Sequence, residues 1–167
     1  MKTTQKYRIY AGQFFQAGCF EKDVTITVEN GVITAIENGR ASSIDRAYAY
    51  VTPGLIDNHI HGGDGYSVYG STPDEIETWL VHLAEAGTSG VVLAPSGQPD
   101  RIRKALGNLY TVMEHQKSGK AGGALVLGAH LEGPFISAEK PGAMEAVIPP
   151  SVETFRQMTE GYEDIVK

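Results

Sequence analysis

The alternation Val24-Thr25-Ile26-Thr27-Val28 is that of a strand with one face buried. Asn30-Gly31 follows it, and then a second short apolar run, Val32-Ile33-Thr34-Ala35-Ile36. Two such runs around Asn-Gly predict a hairpin, because both turn residues must accept positive φ. Tyr7 to Phe15 is aromatic and in part β-branched, and Asn38-Gly39 marks another turn. Residues 1–50 therefore predict a small antiparallel sheet.

The pattern changes near Val51. A short apolar run from Val51 to Ile60 is broken by Pro53-Gly54. Thr72-Pro73-Asp74-Glu75 has the form of a capping box, with proline at the first helical position. Ile76, Trp79, Leu80 and Leu83 then form one apolar stripe, and Gly87 ends the helix. Gly90 to Ala94 reads as a buried strand. A second helix starts at Pro99 and carries Ile102, Ala105, Leu106, Leu109 and Met113 on one face. Ala124 to Ala129 is a third apolar strand. Ser151 introduces a third helix with Val152, Phe155 and Met158 inward, and Asp164 to Lys167 reads as a strand beginning. Apolar strands alternating with amphipathic helices predict a parallel α/β sheet over residues 51–167.

Composition narrows the function classes. The chain has 167 residues, a net charge of −6 and scattered basic residues, so nucleic acid and anionic membrane surfaces are not expected partners. No apolar stretch is long enough for a membrane span. One cysteine, Cys19, suits a reducing compartment, and a cytoplasmic location is expected. No phosphate-binding loop, G-x-S-x-G nucleophile elbow or C-x-x-C pair occurs.

The candidate chemistry lies at strand ends. His59 and His61 stand two apart at the end of the first parallel strand, so both rings share a face and can bind one divalent metal. Asp57 shares that face as a further ligand or an orienting carboxylate. Glu132 ends the third apolar strand, where an unpaired buried charge is costly and a metal would offset that cost. His130 has the side-chain parity of Glu132 and reads as a supporting donor or a structural histidine. Asp64 and Tyr66 follow the glycines after His61 and can touch a substrate. His82 lies off the apolar stripe of its helix, and His115 sits near a helix end.

Val51-Thr-Pro-Gly-Leu-Ile-Asp-Asn-His-Ile-His-Gly-Gly63 and His130-Leu-Glu-Gly-Pro-Phe-Ile-Ser137 together resemble the N-acetylglucosamine-6-phosphate deacetylases of the amidohydrolase superfamily. The first segment is general to the superfamily, and the second is more specific to the sugar-phosphate deacetylases. The resemblance implies the N-terminal part of a (β/α)8 TIM-type barrel, incomplete in this chain, preceded by half of a small antiparallel β-sandwich. Residues 1–50 would be the sandwich portion, and 51–167 the first three βα units. It implies removal of acetate from N-acetylglucosamine 6-phosphate with one or two divalent ions, zinc or iron. His59, His61 and Glu132 match metal ligands, and Ala143 and Met144 match a stretch that contacts the sugar. The family often has a histidine where this chain has Met144. The partner implied is a small amino-sugar phosphate, and the full-length enzyme is expected to be a homodimer. The family's catalytic aspartate and remaining metal histidines come from later strands, so no catalytic acid/base residue is assigned here, and the chain by itself is expected to be inactive. Two other readings stand beside this one: a cyclic-amide hydrolase or nucleobase deaminase of the same superfamily, and a non-catalytic metal-binding or interaction fragment.

Overall fold

A computed structural model describes residues 5–144 and 147–167. The chain divides into two compact units, Met1–Pro53 and Gly54–Lys167.

The first unit is a four-stranded sheet of β1 (Lys6–Gln16), β2 (Cys19–Glu29), β3 (Val32–Asn38) and β4 (Arg46–Val51), in the order β3-β2-β1-β4. Asn30 and Gly31 both take positive φ, 52° and 81°, and so close the β2–β3 hairpin where the alternation placed it. Ala11, Phe14, Val24, Ile26 and Val28 form its core. The expectation of a purely antiparallel sheet fails at one edge, because β4 runs parallel to β1. The connection after β3 carries the chain to the far side of β1, and two hydrogen bonds between Asp45 and Arg8 set its re-entry. β4 was hard to see in the sequence because Tyr48 and Tyr50 are exposed, so little of it reads as core.

The second unit is built on β5 (Leu55–Ile60), the short pair β6 (Gly62–Gly63) and β7 (Tyr66–Ser67), α1 (Pro73–Glu85), β8 (Thr88–Leu93), α2 (Pro99–Lys117), β9 (Leu125–Ala129) and α3 (Val152–Thr159). β5, β8 and β9 form a parallel sheet with β8 in the centre. The Thr72 hydroxyl accepts from the Glu75 amide while the Glu75 carboxylate accepts from the Thr72 amide, so the capping box is complete. Ile76, Trp79 and Leu80 of α1 and Ile102, Leu106, Leu109 and Val112 of α2 pack with Val91, Leu93, Val126 and Ala129 of the sheet.

Three expectations differ from the structure. In α3 only Met158 of the predicted apolar face is buried, while Val152 and Phe155 are exposed. They border an apolar groove with Phe135 and Pro150 instead of entering the core. Leu55, Ile56 and Leu125 are likewise exposed, although their strands are apolar, because β5 and β9 are the outer strands of the sheet. The strand expected after Asp164 is a single parallel bridge, Val166 to Ala129. Among the described residues no helix is long and apolar enough to cross a membrane.

Candidate metal centre

Parallel pairing continues past the named strands and assembles the site. Ala94 donates to the Ile60 carbonyl at 2.9 Å, His130 to the Leu93 carbonyl at 3.0 Å, and Glu132 to the Pro95 carbonyl at 3.1 Å. Ser96 and Glu132 form a further parallel bridge. These bonds place His61, residues 94–96 and residues 130–132 side by side at the C-terminal edge of the sheet. Active sites of parallel α/β proteins form at this edge because the strand-to-helix loops converge there.

Three side chains meet at that edge. His59 Nε2 and His61 Nε2 are 3.1 Å apart, and Glu132 Oε2 is 3.4 Å from the first and 2.6 Å from the second. Together they form a group able to hold a metal ion. Metal–ligand bonds of about 2.0–2.2 Å put two ligand atoms on one ion roughly 3–3.5 Å apart. Two of the three separations lie in that range, and the third is contracted.

The hydrogen bonding explains what this contraction requires. His61 Nδ1 lies 2.6 Å from the Ala94 carbonyl oxygen, which can only accept. A ring hydrogen is therefore on Nδ1, which leaves Nε2 as the atom that can offer a lone pair to a cation shared with the Glu132 carboxylate. Two acceptor atoms at 2.6 Å repel one another unless a cation or a proton lies with them. The donor set, two imidazole nitrogens and one carboxylate oxygen, thus fits a divalent metal. The three side chains are 37–41% exposed, which leaves the ligand atoms open on one side.

Around this cluster the expected residues take different places. Asp57 accepts from the backbone amide of His59 at 3.0 Å, so it shapes the strand end. His130 packs its ring edge against His59, with centroids 4.9 Å apart. Ala143 and Met144 line a cavity of about 310 Å³ together with His61, Tyr69, Ser96 and Glu132. Asp64 lies at the β6–β7 turn with φ of 53°, its carboxylate 3.8 Å from His82 Nδ1. Tyr66 packs against the core and against His82. His115 pairs with Glu77 of α1 at 2.6 Å, tying α2 to α1. The exposed Cys19 belongs to the first unit.

Two residues at the site were missed by sequence reasoning, Tyr69 and Ser96. The Tyr69 hydroxyl is 2.5 Å from His61 Nδ1 and 2.8 Å from Ser96 Oγ. Ser96 carried a usable signal, since it follows the end of β8 as Glu132 follows the end of β9. Tyr69 carried none, because a tyrosine in a polar loop has no periodicity to reveal its direction.

The N-acetylglucosamine-6-phosphate deacetylase of Vibrio furnissii is 35% identical over 130 residues, covering 74% of this chain and 32% of that protein. The N-acetylgalactosamine-6-phosphate deacetylase of Escherichia coli O157:H7 is 32% identical over 139 residues, covering 81% of this chain and 34% of that protein. The chain thus spans about a third of the length of these curated relatives. No protein-family model matches it. The crystal structure of N-acetyl-D-glucosamine-6-phosphate deacetylase from Mycobacterium smegmatis superposes with a TM-score of 0.74 at 21% identity, covering 96% of this chain and 45% of that one. The fold is shared at that level, and the sequence relationship carries the rest. This chain belongs to the N-acetylglucosamine-6-phosphate deacetylase family of the amidohydrolase superfamily.

Proposed function

We propose that His59, His61 and Glu132 hold a divalent metal ion, and that the enzyme built on this segment removes acetate from N-acetylglucosamine 6-phosphate. The observation that carries this reading is the meeting of two histidine Nε2 atoms and one carboxylate oxygen within 3.4 Å at the C-terminal sheet edge. When bound, the ion supplies Lewis-acid activation of the amide carbonyl and of the attacking water.

The chain's own residues prepare for that chemistry. Ala94 holds His61 in the tautomer whose Nε2 can act as a ligand. Asp57 fixes the backbone that carries His59. Glu132 brings the one formal negative charge of the trio and lowers the cost of gathering cationic charge there. Ala143 and Met144 are proposed as sugar contacts on the wall of the same cavity. The Met144 thioether is at most a weak acceptor, so polar recognition at that point falls to the backbone. Imidazole and carboxylate ligands suit zinc and iron alike.

In this reading β5, β8 and β9 are the first three strands of an eight-stranded barrel, the first unit is part of a small β-sandwich, and the complete enzyme is a homodimer. The superposition on a deacetylase over nearly the whole chain supports the barrel assignment.

The test compares the metal content of the wild-type protein with that of the His59→Ala/His61→Ala variant and, in the complete enzyme, acetate release from N-acetylglucosamine 6-phosphate with hydrolysis of cyclic ureides. Loss of bound zinc or iron in the variant and preference for the amino-sugar phosphate are expected. Equal metal content in the two proteins would sink the metal reading, and preference for a cyclic ureide would sink the substrate assignment.

A further inference from the structure

Tyr69 sits on a loop that is built rather than loose. Val68 is fully buried beside it, and the Val68 amide donates to the His61 carbonyl at 2.9 Å. Ser67 and Ser71 exchange hydrogen bonds across the turn, and Asn108 of α2 donates to the Ser71 carbonyl at 3.1 Å. The loop therefore delivers the Tyr69 ring to one place. There the ring stacks on the His61 imidazole, with planes 23° apart, and the Arg101 guanidinium lies 4.7 Å from its centroid.

The direction of the hydrogen bonds follows from their partners. His61 Nδ1 has one hydrogen and two neighbours, the Ala94 carbonyl at 2.6 Å and the Tyr69 hydroxyl at 2.5 Å. Because the carbonyl only accepts, Nδ1 is the donor, and it is shared with the Tyr69 oxygen as a second acceptor. The hydrogen of Tyr69 is then free for Ser96 Oγ, 2.8 Å away. Were the Tyr69 hydroxyl to donate to Nδ1 instead, the Ala94 oxygen would face a lone pair at 2.6 Å.

We propose that Tyr69 is a positioning residue for His61: its hydroxyl, backed by Ser96, joins the Ala94 carbonyl in holding the imidazole in the Nδ1–H tautomer and fixes the orientation that aims Nε2 at Glu132 and His59. The inference rests on the metal reading above, and it adds a residue from outside the strand ends to the support of the ligand set. Partners of this kind typically change metal affinity by about 10–100-fold when removed.

Tyr69→Phe deletes the hydroxyl and keeps the ring over His61. Three quantities are compared with wild type: Zn²⁺ and Co²⁺ affinity by calorimetry with chelator competition, the visible absorption of the Co²⁺ form, and the His61 ring nitrogen-15 shifts of the metal-free protein. The affinity is expected to fall by about tenfold, the Co²⁺ bands to shift, and the Nε2–H tautomer to gain population beside the Nδ1–H form that the Ala94 carbonyl still favours. Ser96→Ala is expected to move all three the same way by less. If Tyr69→Phe, with wild-type circular dichroism, matches wild type in affinity, absorption and tautomer, the proposal is wrong. If Tyr69→Phe does not fold, Ser96→Ala decides, and an unchanged tautomer overturns the proposal. Wild-type protein that binds no metal defeats the metal reading, while the tautomer comparison still judges Tyr69.

Discussion

His61 Nε2 lies 2.6 Å from Glu132 Oε2, although the two residues follow the two outer strands of the parallel sheet, β5 and β9. Strands of one sheet are spaced about 4.8 Å apart, so the outer two are separated by roughly 10 Å at the backbone. The side chains close that gap by leaning inward over the end of β8. Glu132 is carried there by its bridge to Ser96, and His61 by the bond from its ring to the Ala94 carbonyl. Glu132→Gln keeps the shape and removes the charge. It is expected to weaken Zn²⁺ binding by more than the ~10–100-fold that loss of an outer hydrogen-bond partner costs. Titration calorimetry checks this, and an unchanged affinity would remove Glu132 from the ligand set.

Gly62→Ala tests how His61 is held from the other side. A Cβ there would lie 2.4 Å from the Tyr66 carbonyl oxygen and 3.0 Å from Ser67 Cα, so the β6–β7 pair must open. Weaker metal binding is expected, together with faster hydrogen exchange at the Val68 amide, which bonds to the His61 carbonyl. Unchanged exchange at Val68 would show that the short hairpin does not hold this segment.

Thr72→Ala removes the hydroxyl half of the α1 capping box and is expected to cost ~0.5–2 kcal/mol at neutral pH. The Thr72 amide and hydroxyl donate to the Glu75 carboxylate and hold its pKa below the usual value of 4.5. A depressed carboxylate contributes stability that is present above its unfolded pKa and lost as pH falls through its folded pKa. The Thr72→Ala deficit should therefore be full at neutral pH and shrink in acid below 4.5. Urea unfolding of both proteins across that range measures it, and a deficit independent of pH would contradict the coupling.

Leu109→Ala tests where the core of the second unit lies. Leu109 is fully buried in the cluster that joins α1 and α2 to the sheet. Truncation is expected to cost ~2–5 kcal/mol through lost burial and the cavity left behind. Val152→Ala, at a position 69% exposed, should cost well under ~0.5 kcal/mol. Chemical denaturation of both variants separates the two. Similar losses would mean that α3 packs more tightly than its exposure indicates.

The sequence by itself determined the elements and the chemistry of the ligands. Period-two alternation, Asn30-Gly31, the Thr72-to-Glu75 box and the apolar stripes of α1 and α2 are local signals, and each appears in the structure where its residues lie. The spacing of His59 and His61 also has local meaning, because two residues along a strand return to the same face. Tertiary structure alone decided the rest. The parallel pairing of β4 depends on a crossing that no local pattern encodes, and the exposure of Val152 and Phe155 depends on what α3 meets. The approach of Glu132 to His61, and of Tyr69 to both His61 and Ser96, depends on sheet register and loop path. Glu132 and His61, and Tyr69 and Ser96, are far apart in the chain, and Tyr69 reaches His61 only through the path of the loop between them. A ligand set is a geometric object, so the residue types that can form it are written in the sequence, and their meeting is written only in the packing.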